Sequence, residues 1–343
     1  MKVVLHHKPL HSGSKTRGVG VYTRELISAF HKLFPKDKLI PSSNIDYHLD
    51  ADLIHYPFFD PFFLSLPFYC SKPMVVTIHD LIPLKFPTHF KPGIRGKLKL
   101  FFQIKNLKKA KHIITDSEAS KKDIINLLNI PKEKISVIPL AHKEEKIPTV
   151  MSKKIAKKYK LPERYLLYVG DINWNKNVVG LVEMFSRLSD PSLHLVLLGK
   201  VFGDLPNIPE MQRVKAAINN SGKIDKIHLI GFVPTHHLPI FFRHATLYVQ
   251  PSWYEGFGLP VLEAMTYGCP VASSNRGGLP EVGGDAVAYF DPDKDMEGVV
   301  TNLLASTRRR NILVQKGLER VKLFSWEKTA RATKAVYEQI ILK

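Results

Sequence analysis

Short runs of β-branched and apolar residues alternate along the chain with stretches whose apolar positions recur every three to four residues, the alternation of an α/β protein. In the first half the pattern predicts strands at 2–6, 53–55, 74–78, 112–115 and 135–138, and helices at 19–34, 94–110 and 118–128. Residues 139–148 are then polar and bounded by prolines, and a lysine-rich tract follows at 153–160, so a linker is expected here. The alternation restarts with strands at 165–169, 194–198, 227–230, 247–250, 270–273 and 286–289. Its helices fall at 178–188, 210–221, 238–243, 259–267 and 296–305, and two more at 308–323 and 327–341 close the chain. Strand runs without a polar face imply strands covered on both sides, as in parallel sheets. The expected architecture is two doubly wound parallel-sheet domains, 1–150 and 151–325, with a helix at 326–343 packing back toward the first. In such sheets ligands sit beyond the carboxyl ends of the strands, so a cleft between the domains is the expected site.

Five stretches could carry chemistry. Between the first strand and helix, Thr16-Arg-Gly-Val-Gly-Val-Tyr22 places Gly18 and Gly20 where backbone amides could approach a phosphate; an ordinary turn would use the same residues. It lacks the third glycine and the later acid of the dinucleotide fingerprint. His79 and Asp80 follow a buried strand and stand at its ligand edge, as a binding pair or as satisfied structural residues. In Tyr168-Val-Gly-Asp-Ile-Asn-Trp-Asn-Lys-Asn177, Asn175 or Asn177 could cap the next helix. Lys176 would face that helix's N-terminus, which favours a cation only when an anion lies between them. Ser252-Trp-Tyr-Glu-Gly-Phe-Gly-Leu-Pro-Val-Leu-Glu263 sets Glu255 beside a glycine turn and Glu263 inside an apolar helix, with the amides of Gly256, Phe257, Gly258 and Leu259 between them. A carboxylate in such a helix wants hydroxyl donors, which sugars provide in pairs. Asn275-Arg-Gly-Gly-Leu-Pro-Glu281 adds a further glycine-rich loop at the same edge.

Composition narrows the classes. No run reaches the roughly eighteen apolar residues of a membrane span, the amino terminus has no secretory core, and Cys70 and Cys269 have no metal or redox spacing. A reducing, cytoplasmic setting is expected. Two decoys, Asp50-Ala-Asp52 and the acids at 291–295, match metal motifs only in part, so no metal is expected. The net charge of +19 is spread over the chain, with 24 Lys+Arg against 13 Asp+Glu in residues 1–150 and 26 against 18 in the rest. Phosphorylated small molecules, an anionic membrane or nucleic acid would all suit it. The basic, apolar stretch 91–111 suits a helix lying on anionic lipid, or one packing its stripe against the first sheet.

Taken together, these motifs resemble the retaining, nucleotide-sugar-dependent glycosyltransferases of family 4. The closest likeness is residues 252–271, supported by Arg17-Gly-Val-Gly-Val-Tyr22, Thr77-Ile-His-Asp-Leu-Ile-Pro83, Ile114-Thr-Asp-Ser-Glu118, Tyr168-Val-Gly170, Lys176-Asn177 and 279–286. The resemblance implies the GT-B fold, two Rossmann-like domains facing across a cleft, and hexose transfer to a polysaccharide or lipid-linked glycan without a metal or other cofactor. It also implies that Glu263 binds the ribose, that Glu255 and the amides of 256–259 lie near the donor sugar and phosphate, and that Gly18 and Gly20 approach the diphosphate. His79 would lie beside the transferred sugar, and Lys176 would neutralise the leaving group, so His79, Lys176 and Glu255 are the expected catalytic set. Many relatives carry an arginine right after the glycine at 170 or just before the lysine at 176; this chain has Asp171 and Asn175 there, leaving Lys176, backbone amides and Arg17 or Arg276 for the phosphates. GDP-mannose is the favoured donor, with UDP-sugars open. The alternatives are a sugar phosphorylase or epimerase of the same fold, or a basic nucleic-acid-binding protein, which would leave the paired glutamates without a purpose.

Overall fold

The computed structural model describes residues 1–7, 18–43, 50–145 and 148–342. Arg17 lies outside them. The chain divides into two units, one formed by Met1–Ala141 with Phe324–Lys343 and the other by His142–Leu323.

The first unit contains β1 (Lys2–His6), α1 (Gly18–Leu33), β2 (Lys38–Ser42), β3 (Leu53–Tyr56), β4 (Met74–Thr77), α2 (Ile82–Lys85), α3 (Ile94–Leu107), β5 (His112–Thr115), α4 (Glu118–Leu128) and β6 (Ile135–Val137). Its six strands run parallel in the order β2-β1-β3-β4-β5-β6. Successive strand residues enter opposite cores. Val4, Ile54, Val76 and Ile113 pack on one face with Leu107, Ile124 and Leu128. Val3, Leu5, Leu53, Val75 and Ile114 pack on the other with Phe30. That is why these runs lack a polar face. Sequence reading missed β2 because Pro41 interrupts it; proline is tolerated there because β2 is the sheet's edge.

The second unit contains α5 (Thr149–Lys158), β7 (Tyr165–Val169), α6 (Val178–Arg187), β8 (His194–Leu198), α7 (Lys200–Asp204), α8 (Pro209–Asn220) and β9 (Ile227–Ile230). There follow α9 (Leu238–His244), β10 (Leu247–Gln250), α10 (Leu259–Thr266), β11 (Val271–Ser274), α11 (Leu279–Gly283), β12 (Ala288–Phe290), α12 (Met296–Ala305) and α13 (Thr307–Arg320). The strands are again all parallel, in the order β12-β11-β10-β7-β8-β9. Leu166, Tyr168, Leu195 and Leu197 pack under Val182 and Phe185 of α6 and Val300 and Leu303 of α12.

The last helix, α14 (Trp326–Ile341), returns to the first unit. Val336 and Tyr337 enter the core beside Phe30. The Tyr337 hydroxyl lies 2.6 Å from His55 Nδ1, His55 Nε2 lies 2.8 Å from Thr77 Oγ1, and Thr77 lies 3.1 Å from the Tyr22 hydroxyl. This buried chain of polar contacts ties α14 to β3, β4 and α1. Burial pushes His55 down to about 3, so the chain is uncharged at neutral pH.

Candidate active site

In the second sheet the strand order reverses between β7 and β10, so their connections leave in opposite directions and open a crevice at their carboxyl ends. Two loops meet there. The loop after β7 ends in a short 3-10 turn, Trp174–Lys176, and Asn177 in a left-handed conformation (φ 52°) that starts α6. The loop after β10 runs from Pro251 to Gly258, which has φ 110° and starts α10. Asparagines fasten one loop to the other. Asn175 Nδ2 donates to Tyr254 O (3.1 Å), Trp253 N donates to Asn175 O (2.8 Å), and Asn177 Nδ2 donates to Pro251 O (3.1 Å). Neither asparagine caps α6 with its side chain, contrary to expectation; both satisfy carbonyls of the neighbouring loop instead. Trp174 stacks on Trp253, with ring centroids 6.3 Å apart.

This fastening brings Lys176 onto Glu255. The ammonium donates to both carboxylate oxygens at 2.8 Å, with side chains 24% and 10% exposed. Ser252 Oγ (2.7 Å) and Gln250 Nε2 (3.0 Å) donate to Glu255 Oε1. Gln250 Nε2 also donates to Ser252 Oγ (2.7 Å), and its carbonyl accepts from the Tyr248 hydroxyl. Glu255 is therefore a fixed, charge-matched acceptor, saturated on Oε1 within its own loop.

The glycine-rich loop after β11 closes on the same residue. Gly278 N donates to Glu255 O (2.9 Å), and Gly277 adopts φ 63° with the place of a Cβ only 2.2 Å from that carbonyl. Only glycine fits so near a backbone oxygen in a left-handed conformation. Arg276 faces away from this role, bonded to Asp291 (2.7 Å) and Asp293 (3.3 Å).

Glu263 lies on α10 with a side chain 20% exposed. Its Oε1 is 3.5 Å from His142 Nδ1. His142 Nε2 lies 2.9 Å from the Tyr267 hydroxyl, which accepts from Glu145 N (3.0 Å). Burial pushes the Glu263 carboxyl up to about 7 and His142 down to about 4, so neutral imidazole faces a carboxyl near its midpoint at neutral pH. Glu263, Glu255, Lys176 and residues 256–259 thus lie on the loops and helix that follow β7 and β10, with Glu255 held by Lys176 and Glu263 facing His142.

The first unit holds the other expected residues differently. Gly18 and Gly20 lie inside the first turn of α1, not in a loop before it. His79, after β4, has both ring nitrogens occupied: Nδ1 lies 2.6 Å from Asp116 Oδ2 and Nε2 lies 3.1 Å from Pro57 O. Burial works against charge on this ring, but Asp116 outweighs it and raises the His79 pKa. Asp116 stood in the quoted Ile114-Thr-Asp-Ser-Glu118 stretch but was given no role, although β4 and β5 pair Thr77 with Ile114 and His79 and Asp116 each follow two positions later. His142, Tyr267, Gln250 and Ser252 were missed too. His142 falls in the stretch expected to be a linker, Gln250 ends a strand that carries no motif, and Ser252 and Tyr267 lie in the 252–271 stretch but were given no role of their own.

Known proteins resemble this chain in sequence and in fold. The family model for glycosyl transferases group 1 matches residues 150–320, and that for glycosyltransferase family 4 matches residues 38–141. The O-antigen chain mannosyltransferase B of Escherichia coli is 33% identical over 272 residues, covering 77% of this chain and 70% of that protein. The serotype-specific mannosyltransferase WbdA of Escherichia coli is 28% identical, over 75% of this chain but only 32% of that longer protein. Among solved structures, sucrose-phosphate synthase from Thermosynechococcus elongatus superposes with TM-score 0.77 at 20% identity, covering 100% of both chains. Anabaena HepE in complex with UDP-glucose gives TM-score 0.75 at 15% identity, covering 99% of this chain and 100% of that one. Two parallel doubly wound units of the GT-B fold, both family models and the mannosyltransferase relative agree: the chain belongs to the group 1 glycosyltransferases of the family 4 type.

Proposed function

We propose that this glycosyltransferase moves a mannosyl residue, with retention, from GDP-mannose to a growing glycan. The observation that carries the reading is the Lys176–Glu255 pair at the topological switch, with Glu263 on the helix that leaves it. Glu263 would take the ribose hydroxyls, Glu255 and the amides of 256–259 the sugar and phosphate, and Lys176 the leaving diphosphate. The anomeric carbon–phosphate oxygen bond breaks as the acceptor oxygen bonds from the same face, and the acceptor proton passes to the departing phosphate. Glu255 is no nucleophile in this scheme, which agrees with its carboxylate being held by Lys176, Ser252 and Gln250. Lys176 and backbone amides supply the charge stabilisation, and the reading assigns no metal. The mannosyl choice rests on the named Escherichia coli relatives.

Transfer to octyl α-mannoside from GDP-mannose, UDP-glucose and UDP-N-acetylglucosamine, followed by NMR of the anomeric proton, tests this reading. An α-linked product from GDP-mannose, formed equally well in EDTA, is expected. A β-linked product or dependence on a divalent cation contradicts the mechanism, and turnover of a UDP-sugar alone contradicts the donor.

No helix among the described residues is long and apolar enough to cross a membrane. The first unit does present an apolar, cationic surface, and we assign it to docking on anionic lipid near a lipid-linked acceptor. Helix α3 exposes Ile94 (89%), Leu98 (58%) and Phe101 (62%), four and three residues apart and so on one face. Phe63, Leu64, Phe68 and Tyr69 are exposed on the loop between β3 and β4. Gln103 is fully buried and anchors that loop, its Oε1 accepting from Ser65 Oγ (2.9 Å), Leu66 N (3.1 Å) and Ser65 N (3.3 Å). Residues 61–73 and 91–111 contain nine Lys+Arg and no Asp or Glu, which suits an anionic bilayer. Sedimentation with phosphatidylglycerol vesicles is expected to fall about tenfold or more in the Leu98→Glu/Phe101→Glu variant. Unchanged binding, or equal binding to phosphatidylcholine alone, overturns the assignment.

A further inference from the structure

We propose that His142, its ring fixed by Tyr267, is a positioning residue that holds the Glu263 carboxylate ready for the nucleotide ribose. The inference rests on the role given to Glu263 above and adds what keeps that acid usable.

The geometry is a relay through three side chains of the second unit. Glu145 N donates to the Tyr267 hydroxyl at 3.0 Å. That occupies one acceptor lobe of the phenol and leaves its proton for His142 Nε2, 2.9 Å away. The imidazole then carries its own proton on Nδ1, the nitrogen 3.5 Å from Glu263 Oε1. The rings of His142 and Tyr267 meet edge to face, with centroids 5.3 Å apart and planes at 78°. Phe242 stacks on Tyr267 at 6.0 Å, and Arg243 lies over the same ring at 5.6 Å. The phenol is gripped on its ring and at its hydroxyl, so the imidazole it directs has little freedom to turn.

Glu263 needs such a partner. A carboxylate binds paired hydroxyls best when ionised, because the hydrogen bonds are then charge-assisted. Burial opposes that ionisation and pushes this carboxyl up to about 7. Among the described residues, its charge acts on Tyr248 and Tyr267, and Arg243 of α9 lies against the Tyr267 ring. Tyr248 from β10 and Tyr267 from the end of α10 have phenols raised by burial and stay neutral, and Glu144 and Glu145 lie toward the Tyr267 hydroxyl. His142 is itself pushed down to about 4, so it faces Glu263 at 3.5 Å as a neutral N–H dipole and not as a counter-ion. A neutral N–H dipole directed at the carboxylate still favours its ionised form, and it does so without titrating across the working range.

The test is calorimetric titration of the whole chain with GDP from pH 6 to 9, with UDP in its place if the wild type does not bind GDP. Affinity is expected to rise with pH through a midpoint near 7, where Glu263 ionises. His142→Ala is expected to move the midpoint up by about one unit, weakening binding about fivefold at pH 7 and hardly at all at pH 9. His142→Asn, whose amide nitrogen can occupy the place of Nδ1, is expected to restore most of the affinity, and Tyr267→Phe to produce a smaller shift of the same sign. Titration of the nucleotide phosphate is common to every variant and drops out of the comparison. A loss equal at all pH values, or an unmoved midpoint, overturns the positioning role and leaves the donor reading intact. A wild type that binds neither nucleotide overturns both.

Discussion

Replacing Lys176 by alanine is expected to lower kcat/KM for sugar transfer by about 10²–10³-fold, the usual cost of removing one preorganised group that stabilises developing charge. Most of the loss should appear in kcat, because the diphosphate gains its full charge only as the sugar departs. Glu255→Ala should fall by a similar factor for a linked reason. It removes the acceptor that holds the ammonium at 2.8 Å and leaves the Gln250 and Ser252 donors unmatched. The two side chains act as a unit, so the double variant is expected to fall no further than the worse single one. The pair is mostly buried, at 24% and 10% exposed, so each single variant should also lose about 1–3 kcal/mol in urea unfolding. Initial rates and unfolding curves for the three variants check this. A Lys176→Ala enzyme within about threefold of wild type would show that the cation does not serve the leaving group.

Much of this arrangement was legible in the sequence, though not the part that joins it. Strands in the second unit were found within two residues at either end because buried parallel strands are nearly unbroken apolar runs. The helix Thr149–Lys158 was missed because its lysines hid a short periodicity, and β2 was missed because Pro41 is acceptable only at an edge, a property of sheet order. Lys176 and Glu255 were each picked out from their own loops. Their contact was not, because it depends on β7 lying beside β10 across 79 positions of sequence. Local motifs state what each loop can do, and strand order decides which loops meet. His79 shows the converse: its place at a strand's end was plain, but its occupation by Asp116 and Pro57 came from β5 and the end of β3. Gly18 and Gly20 were expected to free a loop, whereas the backbone there already turns as helix.

Glu263 carries the second large expectation. Its side chain is 20% exposed on an otherwise apolar helix whose neighbours Val261, Leu262, Ala264 and Met265 are buried. An acid whose pKa is raised by burial lowers stability as pH rises through the folded value, since the unfolded chain ionises more easily. Below the unfolded value near 4.5 that penalty is absent, and above about 7 it is complete. The chain retains this cost at neutral pH, as a binding group would require. Ribose hydroxyls would offset it by donating two charge-assisted hydrogen bonds to the carboxylate, together about 10–100-fold in affinity.

That claim is open to one direct measurement, requiring no acceptor: the affinities of wild type and Glu263→Ala for GDP and for 2′,3′-dideoxy-GDP at pH 8, or for the uridine pair if transfer selects UDP. The wild type is expected to bind the dideoxy nucleotide about 10–100-fold more weakly, and Glu263→Ala to bind the two nucleotides equally within about twofold. If Glu263→Ala still discriminates as strongly as the wild type, the ribose is held elsewhere and the site has been assigned to the wrong acid.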